Sequence, residues 1–184
     1  MSKKATAQKK WLLLAFAAIV TVLVVVVLVF SIPVRVDTVT SPDGKDQATV
    51  YRHRNDHYSV EYLNGAQEFN VSGVREYIGV YFSAGSRYHL FVYEDITGQQ
   101  RYSFFDYQEK RWGGADPEIA CKISPDFAEE LTRIGAWNSI DFRFQRWHET
   151  EEVALLSYCY TTADGETVCG EIWYNIGENI VKKN

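Results

Sequence analysis

From Trp11 to Ile32 the chain runs for 22 residues without a charged side chain. As a helix rising about 1.5 Å per residue, such a run spans about 33 Å, slightly more than the roughly 30 Å hydrocarbon core of a bilayer. Lipid offers the backbone no hydrogen-bonding partner, so in a membrane the segment must be helical despite its many valines. Lys3, Lys4, Lys9 and Lys10 crowd the N-terminal flank, while Arg35 and Lys45 are the first basic residues after the run. This bias predicts a cytoplasmic N-terminus, and Trp11 stands where an interfacial aromatic belongs. The chain therefore divides into a basic cytoplasmic tail (1–10), a transmembrane helix in contact with the lipid bilayer (11–32), a membrane-proximal spacer (33–46) and an extracytoplasmic domain (47–184).

A cleaved signal peptide is the competing reading. Its apolar region should be about 7–15 residues long and end at a small-residue cleavage site. Here the run is longer, and Phe30-Ser31-Ile32-Pro33 makes a poor site, so the expectation is an uncleaved, single-pass anchor. The first cysteine is Cys121, which excludes lipid attachment at a processed N-terminal cysteine. No ionisable residue lies within the span, which leaves no proton or ion path. Ala17 and Thr21 form only a weak version of the small-xxx-small pairing signal.

Beyond the anchor the composition is that of a folding domain. All 24 acidic residues but only 15 of the 19 Lys and Arg lie after Pro33, leaving that part at −9. An acidic domain lacks the clustered basic charge that binds a phosphate backbone, so no nucleic-acid partner is expected. Aromatic residues make up 15% of the chain, and nearly all of them follow the anchor, unlike the composition of a disordered stalk.

The pattern there is mostly strand. Val34 to Thr40, Ala48 to His53 and Tyr58 to Leu63 are candidate strands, with Asn64-Gly65 a two-residue hairpin turn leading into Ala66 to Val71. Val74, Glu76, Ile78, Val80 and Phe82 are read as one side of a further strand. Tyr88 to Tyr93 and Arg101 to Tyr107 pair around Thr97-Gly98, and the pattern breaks at Gly113-Gly114. Ser124-Pro125-Asp126 reads as a cap and first turn, Phe127, Leu131 and Ile134 as one apolar stripe, and Gly135 as the stop, giving one short amphipathic helix. Ile140 to Trp147, Val153 to Thr161 and Thr167 to Asn175 follow as strands. The fold class is a single N-terminal transmembrane helix followed by a mainly antiparallel β (or α+β) domain with one short amphipathic helix, sandwich-like or a curved sheet. A closed propeller of at least four sheets would need more chain.

No catalytic, cofactor-binding or metal-binding residues emerge. His53 and His57 are four apart but lie in a strand-turn-strand pattern without further ligands. His89 alternates with aromatics as a packing residue, and Cys121 reads as a structural cysteine. The acid pairs Glu94-Asp95, Glu129-Glu130 and Glu151-Glu152 read as solvated. There is no Gly-x-Ser-x-Gly elbow, phosphate loop or calcium loop. The most suggestive surface is Arg143, Gln145 and Trp147, which a regular strand places on one face opposite Phe142 and Phe144. An Arg beside a Trp is the pair enriched in binding hot spots.

Cys159 and Cys169 are expected to form a disulfide, leaving Cys121 outside it. A three-residue loop of Ala163-Asp164-Gly165 puts the two cysteines directly opposite each other and gathers Leu156, Tyr158 and Tyr160 with Val168, Ile172 and Tyr174 on one face. Directly opposed strand residues lie within the reach of a disulfide. The function expected is a non-catalytic domain that binds a protein or cell-envelope component. The alternatives are an extracytoplasmic enzyme with a dispersed site and an accessory subunit of a membrane complex.

Overall fold

The computed structural model of the chain describes residues 3–54, 56–62, 69–134 and 140–183. Two compact units result, Met1–Val34 and Arg35–Asn184. The first is the helix α1 (Lys3–Ser31). Its stretch Leu13–Ser31 has a mean hydropathy of 3.3 and is long and apolar enough to cross a membrane. The hydroxyls of Thr21 and Ser31 donate to the carbonyls of Ala17 and Val27, at 2.9 and 2.6 Å. Each polar side chain is thereby satisfied within its own helix, as a lipid solvent requires.

The second unit is β-rich, with twelve strands in three four-stranded sheets among the described residues. The first sheet contains β1 (Val34–Thr40), β2 (Gln47–Arg52), β3 (Tyr58–Tyr62) and β4 (Phe69–Val71). The second contains β5 (Val74–Phe82), β6 (Tyr88–Asp95), β7 (Gln100–Asp106) and β8 (Arg111–Ala115). The third contains β9 (Asp141–Trp147), β10 (Val153–Thr161), β11 (Thr167–Asn175) and β12 (Ile180–Lys183). In each sheet the strands follow one another in chain order. Two short helical segments, α2 (Pro117–Ile123) and a 3-10 turn at Pro125–Phe127 continuing into α3 (Ala128–Arg133), link the second sheet to the third.

The three sheets stack on two cores. Leu90, Val92 and Tyr102 of the second sheet pack with Phe142, Leu156, Tyr158 and Ile172 of the third, joined by Cys121 and Phe127 from the helical link. Val50, Val60 and Tyr62 of the first sheet pack with Val74, Val80, Phe91 and Phe105 of the second. The second sheet is thus covered on both faces, which is why β6 is buried at every position from Tyr88 to Val92. The stack repeats one arrangement. The Tyr77 hydroxyl of β5 donates to Asp37 of β1 at 2.6 Å, and the Tyr81 ring of β5 lies 4.7 Å from Phe144 of β9. First strand thus faces first strand twice. Phe69 of β4 stacks on Trp112 of β8 at 3.9 Å, and Tyr62 of β3 on Phe105 of β7 at 4.9 Å. The Asp43 N–H in the β1–β2 turn donates to the Ser86 hydroxyl in the β5–β6 turn.

β1 belongs to the first sheet and has the bounds expected for a strand within the spacer segment. Several expectations need correction. β5 is a strand throughout, but it carries bulges at Val74/Glu76 and Tyr77/Gly79. Each bulge adds a residue and switches the facing side. Val74 and Val80 therefore face the first sheet, whereas Ile78 faces the third. Gly113 and Gly114 lie within strand β8, just before the change from strand to helix at α2, and Gly113 pairs with Phe104, whose ring lies over it. The helix beginning at Ser124 is preceded by α2, which Asp116 caps by accepting from the Ile119 N–H at 3.1 Å, with Pro117 in its first turn. β12 had no reading of its own in the sequence. The Asn64-Gly65 turn, the Gly135 stop and the Leu131 side chain lie outside the described residues and side chains.

His89 is wholly buried between the first and second sheets. Its Nδ1 shares a hydrogen bond with the Tyr62 hydroxyl, while Nε2 has no partner among the described residues. Loss of hydration pushes its pKa from 6.5 down to about 3, so the folded protein holds it neutral. In the unfolded chain it charges below about pH 6.5. The stability it allows is therefore complete above that pH and is lost as pH falls toward 3. At pH 5 the deficit is about 2 kcal/mol, from roughly 1.36 kcal/mol per unit. The carboxylates held low by hydrogen bonds and ion pairs, Asp43, Asp95 and Asp106, stabilise the fold above about pH 4 and lose that contribution only below it. Urea unfolding at pH 7 and pH 5 should show the His89 deficit, and His89→Phe should flatten the slope in this window. An unchanged slope in the variant would assign the acid sensitivity elsewhere.

Gly170 pairs with Tyr158 in the third sheet. A Cβ there would fall 2.6 Å from the hydroxyl of that buried ring. Gly170→Ala should destabilise the domain by about 1–3 kcal/mol through overpacking, read as a lower urea midpoint with unchanged slope.

Candidate docking surface on the third sheet

Every second residue of the third sheet points away from its core. Ala154, Leu156, Tyr158 and Tyr160 face inward with Ile172 and Tyr174. Register then puts Val153, Leu155, Ser157 and Cys159 outward, opposite Asn175, Trp173, Glu171 and Cys169. Leu155 is directly opposed to Trp173 on one side and to Arg146 on the other. It remains only 6% exposed although it lies on the outer face, because these two long side chains flank it. The Arg146 guanidinium sits 5.6 Å from the Trp173 ring centroid, a cation–π distance. The His148 ring meets Trp173 edge-on at 5.1 Å. Beside them runs a groove of about 480 Å³ lined by His148, Val153, Trp173, Ile180 and Lys182, with Glu151 and Glu178 at its edges. Ile180 is 45% exposed.

The residues singled out from the sequence are placed differently. β9 and β10 pair as Trp147–Ala154 and Arg146–Leu155, then Phe144–Leu156 and Arg143–Ser157. Gln145 is the extra residue of a bulge, so alternation reverses there. Trp147 consequently packs inward with Phe142 and Phe144, and its indole N–H donates to the Tyr81 carbonyl at 3.0 Å. The expected shared face of Arg143, Gln145 and Trp147 does not form. Gln145 is exposed and donates to the Ser157 hydroxyl at 2.9 Å. Arg143 ties the third sheet to the second, pairing with Glu94 at 2.7 Å and with Asp141 at 3.1 Å. The hydrogen bond to Glu94 is the main cause that raises its pKa. The Arg–Trp pair on the open face is Arg146 with Trp173.

The disulfide pair also lies on this face. The three-residue loop is present, with Thr162 N–H donating to the Glu166 carbonyl and Gly165 at φ +85°. Cys159 stands opposite Cys169 with α-carbons 4.2 Å apart and sulfurs joined at 2.09 Å. Cys121 is buried in the core between the second and third sheets, outside the disulfide. The same register sets Leu155 opposite Trp173, a signal legible in the sequence that the search for motifs passed over.

A second cleft, of about 360 Å³, opens where the second and third sheets meet α2, lined by Tyr93, Arg101, Tyr102, Asp116 and Asp141 among others. Its charges are already committed within the fold. Arg101 pairs with Asp95 at 2.7 Å, Asp141 with Arg143, and Asp116 caps α2. His53 and His57 meet edge-on at 5.2 Å, with Nε2 atoms on Ser59 and Asn70. Among the described residues no three His, Cys, Asp or Glu side chains gather into a group that could hold a metal ion.

The sequence matches no protein-family model and no curated protein. Among solved structures, the crystal structure of TolB from Acinetobacter baumannii is similar at a TM-score of 0.41 and 14% sequence identity, covering 82% of this chain and 32% of that chain. The chain thus spans about a third of the TolB chain it matches, and the likeness is too distant to assign a family.

Proposed function

We propose that this chain is a single-pass membrane protein whose β-rich domain lies outside the cytoplasm and works as a non-catalytic docking module for a protein partner. The observation that carries this reading is the outer face of the third sheet. It presents a Trp–Arg pair over an apolar floor, beside a groove left open along the sheet. Buried aromatic and Arg anchors dominate binding energy at protein interfaces, and a pre-formed concave surface lowers the ordering cost of association. The orientation rests on the lysine bias around the apolar helix, which favours a cytoplasmic tail. A disulfide between Cys159 and Cys169 is in keeping with an oxidising compartment.

Docking is tested in solubilised membranes resolved by native electrophoresis. The chain should migrate in an assembly that Trp173→Glu dissolves. A chain that migrates alone before and after the substitution would rule the docking face out. Orientation is tested by a reporter active only outside the cytoplasm, fused after Asn184, which should be active. In the same membranes non-reducing peptide mapping should recover Cys159 bonded to Cys169. Alkylatable thiols at both positions, or a reporter that works only in the cytoplasm, would reverse the assignment of compartment.

A further inference from the structure

We infer that the outer face of the third sheet is covered by the first sheet of a second copy of this chain, so that two chains close into one ring of six four-stranded sheets. This rests on the reading of that face as a docking surface, and it names what docks there.

The required interface is already made twice within one chain. β5 faces β1 through Tyr77 and Asp37, and β9 faces β5 through Phe144 and Trp147 against Tyr81. Successive hairpin turns also touch, Asp43 with Ser86 and Gly85 with the Glu152 carboxylate. Each sheet thus follows its predecessor by a similar displacement, and a third repetition brings a first sheet onto the third. Sheets arranged in this way bury their last open faces by closing into rings of about four to eight. Two copies of the three sheets described supply six, within that range.

The two open faces suit each other. Alternation places Gln47, Thr49 and Tyr51 of β2, Ser59 and Glu61 of β3 and Asn70 of β4 outward on the first sheet, with no Lys or Arg among these described positions. The third sheet opposes them with Leu155 and Trp173, and with Arg146 and Lys182 beside one acid, Glu171. Two third sheets facing each other would instead bring Arg146 and Lys182 near their own copies. Each face is four strands wide and about six residues long, or about 380 Å² in plan at the usual strand spacing and rise. Two junctions with two faces each bury about 1,500 Å², within the range of stable interfaces. A two-fold axis along the ring leaves both β1 strands starting at the same end, as two anchors in one membrane require. Confinement to that membrane raises the effective concentration of the second copy.

The test is a benzophenone photo-crosslinker at position 173 of the full-length chain in its native membrane, with the same probe at Ile96 (79% exposed) as background. The expected product has twice the chain mass, and its cross-link maps to residues 34–71 of the other copy. Glu61→Arg should abolish it while leaving the strand-dominated circular dichroism of the domain unchanged. Light scattering of the unmodified protein in detergent should give two chains per particle. A self-adduct mapping to residues 141–183 would overturn the ring, as would a light-scattering mass of one chain. An adduct with a different protein would overturn the second copy as occupant and leave the docking reading standing. Absence of any adduct above the Ile96 background would overturn both.

Discussion

The second sheet is buried on both faces, and the rest of the domain depends on it. A single antiparallel sheet normally spends one face on a core and leaves the other to water. Here Leu90 and Val92 of β6 support the third sheet while Phe91 between them supports the first. Neither outer sheet has a core without this one, since each contributes only one apolar face. The domain is therefore stabilised by nearest-neighbour interfaces, much as in a repeat protein. Loss of the central sheet would remove both interfaces at once.

The two interfaces are not equal in quality. The core shared by the second and third sheets is closed by the helical link, and Arg143 reaches across it to Glu94. The core shared by the first and second sheets is a cluster of aromatic rings around Tyr62, which touches His89, Phe105, Tyr107 and Trp112. Three polar atoms in that cluster, His89 Nε2, Tyr107 OH and Trp112 Nε1, have no hydrogen-bond partner among the described residues. Buried polar atoms left in this state carry their full desolvation cost. The first sheet is held largely by ring packing, with Tyr77–Asp37 and Tyr62–His89 as its polar ties to the second.

The elements legible in the sequence were those whose periodicity was undisturbed. β1, β10 and β11 have the bounds expected, and the three-residue loop follows from Gly165 together with the facing of Tyr158 and Ile172. The apolar helix was legible because nothing in water accounts for so long a run. Bulges hid the rest. One extra residue at Gln145 turned Trp147 inward and moved the Arg–Trp pair to Arg146 and Trp173, in strands far apart in sequence. The glycines of β8 read as a break because their neighbour Phe104, which fills the space above Gly113, comes from another strand. The likeness of Leu90–Tyr107 to Leu155–Tyr174 reads in the sequence as no more than hairpin grammar, whereas the structure makes β6–β7 and β10–β11 equivalent pairs of successive sheets.

The β10–β11 hairpin has a mechanical consequence. Tension applied between β1 and the third sheet crosses both cores in series. The bond between Cys159 and Cys169 removes residues 160–168 from the path that tension can lengthen. A stretched chain would keep the β10–β11 hairpin closed between these two cysteines.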